Sequence, residues 1–287
     1  MTGMLKDDCT MTTEGRQTTD DQGATNDQCL ILGAGEYYDG TPRIPRGAHV
    51  IAADGGFDHA SPLGITPDEV IGDFDSVAGE SLEYVRGDGV MRLPSEKDDT
   101  DMLAAVKLGW SRGLRRFHIF GGLGGRLDHT LANMQMLARI SRHGGIGFLY
   151  GDGFVATAIT DATLSFPAWD PPEGAGRMVS VLAHSDVARH VSIRGLKYEI
   201  DDAQLRNTRA LGVSNEFLDS ADAVITVADG TLAVTYPLAA PEPGWRTSRG
   251  PEGPDALGAI DTHVSNLLAR RKRIRPACGA GDERSAS

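Results

Sequence analysis

The first half of the chain alternates short apolar runs with longer segments of helical periodicity. Each of these runs is followed by Gly, Pro or Asp, and such short, bounded runs are typical of buried strands. The strand candidates are Cys29–Leu32, His49–Ala53, Val70–Ile71, Val90–Leu93, Arg116–Phe120 and Gly147–Tyr150. Because strands alternate with helices, we predict an α/β fold over residues 28–150, with a mostly parallel sheet and helices on both faces.

Two of the predicted helices carry an apolar face at three- and four-residue spacing. In the helix that follows residues 97–101, this face is formed by Leu103, Val106 and Trp110. In the helix after Arg126, the residues expected to face the core are Leu127, Leu131, Met134, Leu137 and Ile140.

The pattern changes after Gly151, where short strand-like runs replace the helical periodicity. Turns rich in Gly, Pro and Asp separate these runs, as in a compact all-β domain. The strand candidates are Val155–Ile159, Thr163–Phe166, Val179–Ala183, Val191–Ile193, Val224–Val227 and Leu232–Tyr236. We therefore predict a C-terminal all-β sandwich domain over residues 151–238.

Both ends of the chain differ in composition from the regions between them. Residues 1–27 contain almost no large apolar side chains, so we predict a disordered tail there. Residues 239–287 are rich in Pro and Gly and include the basic run 270–275. A basic run can bind nucleic acid, but in an acidic protein we favour a solvated C-terminal tail.

Net charge narrows the choice of partners. The 287 residues carry a formal net charge of −12, which disfavours a nucleic-acid partner because protein surfaces that bind nucleic acid are basic. An anionic substrate then requires locally concentrated positive groups or a recruited cation. No apolar run approaches the roughly 18 residues of a membrane span, so no membrane contact is expected.

The compartment is predicted from the cysteines and the first residues. The three cysteines are widely separated and odd in number, which argues against a disulfide framework or a zinc site. The first residues lack the charged-then-apolar pattern of a signal peptide. A reducing cytoplasm is the expected location.

Two acidic residues, Asp73 and Asp75, follow the strand candidate Val70–Ile71 directly. Alternation along an extended chain places both carboxylates on one side and turns Phe74 to the other. The carboxyl ends of strands are where open α/β sheets bind ligands. Paired carboxylates suit Mg²⁺, which commonly combines one or two of them with phosphate oxygens and water.

Two further motifs add groups suited to a polyphosphate. The run Lys97–Asp101 precedes a predicted helix, which either Asp99 or Thr100 can cap. A second run, Gly121–Gly125, joins a strand to a helix, so its backbone N–H groups can approach a phosphate closely. Arg126, which follows it, can place a guanidinium on phosphate oxygens.

Six motifs together resemble those of the thiamine pyrophosphokinase (thiamine diphosphokinase) family. In order they are Asp54–Gly56, Gly72–Ser76, Lys97–Asp101, Gly125–His129, Gly195–Tyr198 and Ser214–Glu216. Any one of them is a weak signal, whereas six in order over about residues 30–237 are specific. The N- and C-terminal extensions are not needed by the core of that family.

The resemblance implies an enzyme that converts ATP and thiamine to AMP and thiamine diphosphate. It implies an α/β catalytic domain that binds ATP and Mg²⁺, a sandwich that binds thiamine, and a homodimer with sites shared between subunits. The implied catalytic residues are Asp73, Asp75, Asp101 and Lys97, the three aspartates being the Mg²⁺ ligands. The implied ATP contacts are Asp54, Gly55, Gly56, Thr100, Gly125, Arg126, Asp128 and His129, and the implied thiamine contacts are Tyr198, Ser214 and Asn215.

Several roles stay open at this point. The hydroxyl proton of thiamine can go to Asp101 or to Asp73, and Asp128 can bind a ribose hydroxyl or orient Arg126. His129 can contact the nucleotide or serve packing or helix capping, and Tyr198 can be a core aromatic residue.

Two alternative functions also stay open. One is a metal-dependent sugar-nucleotide glycosyltransferase that uses the D-x-D motif, and the other is a non-catalytic thiamine-binding sensor. The first does not account for Lys97–Asp101 or for the motifs of the second domain. The second has no need of a complete set of metal-binding carboxylates.

Overall fold

The structure is a computed structural model that describes residues 27–38, 45–74 and 89–265. Its strands are β1 (Gln28–Leu32), β2 (His49–Ala53), β3 (Glu69–Gly72), β4 (Val90–Arg92), β5 (Arg116–Phe120), β6 (Ile146–Tyr150), β7 (Phe154–Phe166), β8 (Met178–Ala183), β9 (Val187–Arg194), β10 (Ile200–Arg206), β11 (Gly212–Glu216), β12 (Ala223–Pro237) and β13 (Gly244–Thr247). Its helices are α1 (Gly56–Ala60), α2 (Asp101–Ser111) and α3 (Leu127–Arg142). The predictions for Asp75, for residues 1–26 and for the basic run 270–275 fall outside the described residues.

Six strands form the predicted parallel sheet, in the order β6-β5-β1-β2-β3-β4. β1 lies between β2 and β5, with Ile31 opposite Ile51 on one side and Ile119 on the other. The chain steps outward from β1 to β4 and then returns across β1 to β5. This reversal is a topological switch point, beside which ligands of open α/β sheets bind.

The helices cover the two faces of this sheet unequally. Cys29 and Ile31 of β1 join the core that α2 and α3 cover, whereas Leu30 and Leu32 join the core beneath α1. Ile146 and Phe148 of β6 pack into the core of the β domain. The α/β class is therefore confirmed, but among the described residues only the short α1 covers the second face.

The second half of the chain builds its sandwich on two long strands, β7 and β12, which pair along their whole length. The first part of β12 also pairs with β9, and its last part pairs with β8, so the strand pair belongs to two layers. The change of layer occurs at a bulge, where Asp161 has φ 46° and its carboxylate accepts from the N–H of Gly230 at 2.9 Å. A bulge bends the strand that carries it. Each of these long strands replaces two predicted shorter ones.

The two halves are joined by hydrogen bonds. β6 pairs with β7 in antiparallel register, so the predicted boundary at Gly151 falls in a turn between paired strands. β10 and β11 were not predicted, because most of their residues are polar and exposed and show no apolar alternation.

The predicted C-terminal tail is wrong for the part of it that the structure describes. β13 pairs with β7, and residues 250–265, here called the strap, lie against α2 and α3. Trp110 Nε1 donates to Gly253 O at 2.9 Å, and the guanidinium of Arg139 donates to Leu257 O at 2.6 Å. Leu257 is only 1% exposed. The strap binds mainly through its backbone carbonyls, so its Pro/Gly-rich composition gave no sign of packing.

The expected inward face of α3 is also partly wrong. Leu127 and Leu131 are 71% and 57% exposed, because the buried residues of this helix begin only at Asn133. None of the described helices has the length and apolar character needed to cross a membrane.

Packing of the strap can be tested by Leu257→Ala. Because Leu257 is buried in the core beneath α2 and α3, its truncation should lower the free energy of unfolding by about 2–4 kcal/mol. The control is Val264→Ala, an exposed position of the same strap, which should change it by less than about 0.5 kcal/mol. Urea unfolding at constant m-value measures both. Equal, negligible effects would mean that the strap does not pack.

Candidate active site

The four predicted motifs of the first half follow the carboxyl ends of neighbouring parallel strands. Asp54 comes directly after β2, Asp73 after β3, Lys97 in the loop after β4 and Arg126 in the loop after β5. Carboxyl ends of parallel strands lie at one edge of the sheet, so the fold brings these motifs to the same side of the molecule.

Asp54 and Gly72 lie in close backbone contact at this edge. The N–H of Asp54 donates to Ile71 O at 2.7 Å, and a Cβ on residue 72 would lie 2.8 Å from Asp54 Cα. Only glycine therefore fits at position 72. Asp54 itself has φ 47°, a strained conformation for an L-residue that is often found at functional sites.

The turn after β3 is not the extended chain on which the predicted alternation rests. Phe74 has φ 53° and is buried against the core beneath α1. Asp73 remains half-buried at the sheet edge. Phe74 therefore anchors the turn that carries Asp73. Asp75 lies outside the described residues.

The residues of the Lys97–Asp101 motif fall into two groups, one paired at the sheet edge and the other bonded to α2. Lys97 Nζ lies 2.9 Å from Asp101 Oδ1 and donates to Pro94 O at 3.1 Å. Thr100 is the N-cap of α2, and its hydroxyl accepts from Leu103 N at 3.2 Å. Asp99 turns inward and binds Lys107 at 2.6 Å. The predicted cap is confirmed for Thr100, while Lys97 and Asp101 form an ion pair at the sheet edge.

Much of the glycine-rich loop after β5 is used to bind the loop after β1. Gly35 N donates to Gly121 O at 2.8 Å, and Glu36 N donates to Leu123 O at 3.0 Å. Asn133 Nδ2 donates to Gly122 O at 2.6 Å from inside α3. Asn133 was not predicted as part of the site, although it is a polar residue on an otherwise apolar helix face. The exposed part of the loop is Gly125 and Arg126.

Arg126 and Asp128 form an exposed bidentate pair at the start of α3. Arg126 Nη2 lies 2.5 Å from Asp128 Oδ2, and Nε donates to Oδ1 at 3.1 Å. The hydrogen bond from Arg126 lowers the pKa of Asp128, and the same bond raises the pKa of Arg126. Of its two possible roles, Asp128 is placed to orient Arg126. The side chain of His129 is exposed, which rules out packing.

The sandwich motif is organised by the amide of Asn215, which is 4% exposed. Its Oδ1 accepts from the N–H groups of Tyr198 and Glu216, both at 2.9 Å, and its Nδ2 donates to Tyr198 O at 2.7 Å. These bonds engage both ends of the amide, so Asn215 positions the Tyr198 loop. Tyr198 is 62% exposed and is not a core aromatic residue.

A small apolar groove lies beside Tyr198. Its volume is about 210 Å³, and its lining includes Ile193, Ile200, Leu205 and Val213. Lys197 lies 5.6 Å from the centre of the Tyr198 ring and pairs with Glu216 at 2.7 Å, a bond that raises the pKa of Lys197. Ser214 is exposed at the next turn with φ 60°. The groove suits a flat aromatic group, with polar atoms at its rim.

The structure does not bring the two groups of predicted residues together within one chain. β9 and β10, which flank Tyr198, lie at the opposite end of the strand order from β2, β3 and β4. Among the described residues, no hydrogen bond or ion pair links Tyr198, Ser214 or Asn215 to the motifs of the parallel sheet.

Two family models match the chain in the two regions that carry these motifs. One, described as thiamin pyrophosphokinase, catalytic domain, matches residues 45–146, and the other, described as thiamin pyrophosphokinase, vitamin B1 binding domain, matches residues 169–232. The chain belongs to the thiamin pyrophosphokinase family. The first model covers the parallel sheet from just before β2 to β6, and the second covers the groove beside Tyr198.

Individual members of the family agree with this assignment. The thiamine pyrophosphokinase of Bacillus subtilis (strain 168) is 25% identical over 165 residues, which are 55% of this chain and 72% of the relative. Crystal structures of thiamine pyrophosphokinase from Bacillus subtilis and of a family protein from Enterococcus faecalis each share the fold, with TM-score 0.61, 21% identity, and coverage of 73% of this chain and 98% of theirs. Thiamin pyrophosphokinase from Candida albicans has TM-score 0.58 at 14% identity, with coverage of 73% of this chain and 89% of its own.

The acidic residues of the catalytic domain fit a hard divalent cation. No group of three or more His, Cys, Asp and Glu side chains able to hold a metal occurs within residues 27–38, 45–74 and 89–265. Mg²⁺ commonly needs only one or two carboxylates, since phosphate oxygens and water complete its shell. Asp73 and Asp101 offer such carboxylates at the sheet edge, so the residues present suit Mg²⁺ bound together with a nucleotide.

The positioning role of Asn215 can be tested against its neighbour. Asn215→Ala removes three buried hydrogen bonds and should lower the free energy of unfolding by about 2–4 kcal/mol. Ser214→Ala is the control, because its hydroxyl is exposed and should contribute less than about 0.5 kcal/mol. Thermal and urea unfolding measure both variants. Similar small effects would show that Asn215 does not hold the Tyr198 loop.

Proposed function

We propose that this chain is a thiamine diphosphokinase, which transfers the pyrophosphoryl group of ATP to the hydroxyl of thiamine. The products are thiamine diphosphate and AMP. The observation that carries the proposal is that four family motifs meet at the carboxyl edge of one parallel sheet, within the region matched by the family's catalytic domain. The match to the vitamin B1 binding domain supports thiamine as the acceptor.

The chemistry is an in-line displacement at the β-phosphorus of ATP. The thiamine hydroxyl oxygen forms the new bond to phosphorus, the bond to the α–β bridging oxygen breaks, and AMP leaves with that electron pair. Catalysis of such a transfer consists mainly of positioning and charge stabilisation. The hydroxyl proton goes to a carboxylate at the sheet edge, for which Asp73 and Asp101 are the two candidates.

Fixed positive charge comes from two side chains in this proposal. Lys97, paired with Asp101, faces the polyphosphate from the loop after β4. Arg126, held by Asp128, faces it from the start of α3, where the helix dipole also favours an anion. Mg²⁺, when bound by Asp73, Asp75 and Asp101, supplies further neutralisation of the phosphate oxygens.

The remaining ATP contacts follow from their place at the same edge. Asp54 and Gly55 join β2 to α1, which begins at Gly56, and Asp54 lies against Gly72. Gly125 and His129 are exposed around Arg126, and Thr100 caps α2 next to Asp101. We propose that these residues surround the nucleotide.

Thiamine binds at the groove beside Tyr198 in this proposal. The exposed Tyr198 ring offers an aromatic surface for stacking, and Ser214 offers a hydroxyl at the rim. Asn215 acts by fixing the Tyr198 backbone, because its amide is already engaged. The aromatic rings of thiamine match this combination of apolar wall and polar rim.

We further propose a homodimer in which each site uses the parallel sheet of one subunit and the groove of its partner. Two apolar surfaces on one chain support this. Leu127 and Leu131 are exposed beside Arg126, and Met178, Leu211 and Val213 are exposed near Tyr198. In a two-fold dimer, the surface beside Arg126 of each subunit contacts the surface near Tyr198 of its partner. The two half-sites therefore meet across the interface.

The comparisons give no support to a glycosyltransferase or a non-catalytic sensor, since both matched models are those of a pyrophosphokinase. We propose the cytoplasm as the location, because ATP and Mg²⁺ are abundant there and because Cys29, the cysteine within the described residues, is a buried free thiol.

The proposed reaction is tested by incubating the protein with ATP, Mg²⁺ and thiamine and measuring AMP and thiamine diphosphate. EDTA should abolish the reaction and added Mg²⁺ should restore it. Asp101→Asn should lower kcat by about 100-fold or more, because a charged group beside the polyphosphate is lost. The control Asp255→Asn, at an exposed position of the strap, should retain wild-type kcat. Formation of ADP instead of AMP would contradict the assignment.

The shared site is tested by mixing two inactive variants. Heterodimers of Asp73→Asn and Tyr198→Ala contain one doubly altered site and one intact site, so activity should recover to about half the wild-type value per heterodimer. The control mixes Asp73→Asn with Asp101→Asn, whose lesions lie on the same half, and should give no recovery. If confirmed heterodimers of the first pair stay inactive, each chain builds its own site.

A further inference from the structure

The strap lies outside both thiamin pyrophosphokinase models, the second of which ends at residue 232, yet it contacts the loop that carries Lys97 and Asp101. Asp261 N donates to Asp99 Oδ2 at 2.9 Å. Further along the strap, the backbone N–H of Ser265 donates to Asp98 Oδ1 at 3.0 Å. Both acceptors lie between the two proposed catalytic side chains, so the strap is bound directly to their loop.

Lys107 completes this contact from the second turn of α2. Its Nζ lies 2.6 Å from Asp99 Oδ2, donates to Ala259 O at 2.8 Å and lies 3.5 Å from Asp261 Oδ2. Lys107 and Asp99 are both buried. Lys and Asp are almost never fully buried unless they are paired, so this ammonium is a structural link between loop and strap.

The strap supplies hydrogen bonds that offset part of the cost of burying this ion pair. Removing two charges from water is costly unless further hydrogen bonds satisfy them. Here Ala259 O accepts from Lys107, and Asp261 N donates to Asp99. Without these partners the buried charges would be under-satisfied, and the loop would relieve them by opening towards water. The position of the loop and the position of the strap are therefore coupled.

We propose that Lys107, Asp99 and strap residues 259–261 form a positioning unit for the catalytic loop, an inference that rests on the proposed function for its kinetic consequences. Asp99 is two residues from Lys97 on one side and two from Asp101 on the other. Fixing Asp99 therefore fixes both catalytic side chains against the polyphosphate. Lys107 and Asp99 are positioning residues, since both point away from the sheet edge into the strap contact.

The strap also offers a matched control. Arg139, on α3, donates to the strap carbonyl Leu257 O at 2.6 Å. Arg139→Met and Lys107→Met each remove one cation and one hydrogen bond to a strap carbonyl, but only Lys107→Met removes the cation that is paired with Asp99. A difference between the two variants isolates the coupling to the loop from general loosening of the strap.

Hydrogen exchange of the full-length protein tests the coupling without reference to activity. In Lys107→Met, the amides of residues 95–104 should exchange about tenfold faster than in the wild type, because the loop opens locally. In Arg139→Met they should exchange at the wild-type rate, while the amides of residues 253–258 exchange faster. Unchanged exchange of residues 95–104 in Lys107→Met, or an equal increase in both variants, would overturn the proposal.

Kinetics test whether the unit positions the catalytic groups. Lys107→Met should lower kcat by about tenfold and raise the Mg²⁺ concentration for half-maximal rate, with the KM for thiamine within twofold of wild type. Lys107→Arg, which keeps the charge, should recover most of the loss. Arg139→Met should keep both kcat and the Mg²⁺ requirement. Equal losses in the two Met variants would overturn the proposal.

A milder variant covers the case in which Lys107→Met does not fold. Asp261→Asn retains the backbone donor to Asp99 and removes only a half-exposed carboxylate, so it should fold and raise the Mg²⁺ requirement by about twofold. An unchanged requirement in a folded Asp261→Asn protein would count against the unit. If the wild-type protein forms no thiamine diphosphate, the proposed function fails, and hydrogen exchange alone still decides the coupling.

Discussion

Parallel pairing of β1 with β2 and β5 is the constraint on which the rest of the catalytic half depends. It directs every strand of the sheet the same way, so the residues that follow each strand collect at one edge. Four motifs that are up to about 70 residues apart along the chain thereby come to the same edge of the sheet. The close backbone contact between Asp54 and Gly72 belongs to the same parallel pairing, because a side chain at position 72 would force β2 and β3 apart.

Buried polar contacts then fix the loops that carry the proposed chemistry. Asn133 holds the loop after β5, Asn215 holds the Tyr198 loop, and Lys107 holds Asp99 against the strap. In each case a buried amide or charge is hydrogen-bonded to the segment that it holds. A polar group buried without partners is costly, so these contacts specify one loop conformation rather than adding much net stability.

The strap extends this arrangement beyond the two domains that define the family. Leu257 joins the core, with Ala256 and Ile260 packed against it, and the strap is held by hydrogen bonds from Trp110, Arg139 and Lys107 to its carbonyls. These bonds connect residues more than a hundred positions apart. Most of its hydrogen bonds use the backbone of the strap, while Leu257 and the carboxylate of Asp261 add contacts through side chains.

The sequence by itself determined the strands of the parallel sheet, the order of the motifs and the membership of a family, because these depend on local periodicity and residue type. Only the tertiary structure decided which motif residues are buried and which lie at the sheet edge. Asp99 and Asp101 are chemically identical, yet one is buried against Lys107 and the other pairs with Lys97 at the sheet edge. Leu127 and Leu131 fit an inward helical face by spacing, but the core reaches α3 only from Asn133 onward. Contacts with residues that are distant in the sequence set these differences in burial and pairing, and periodicity carries no information about such contacts.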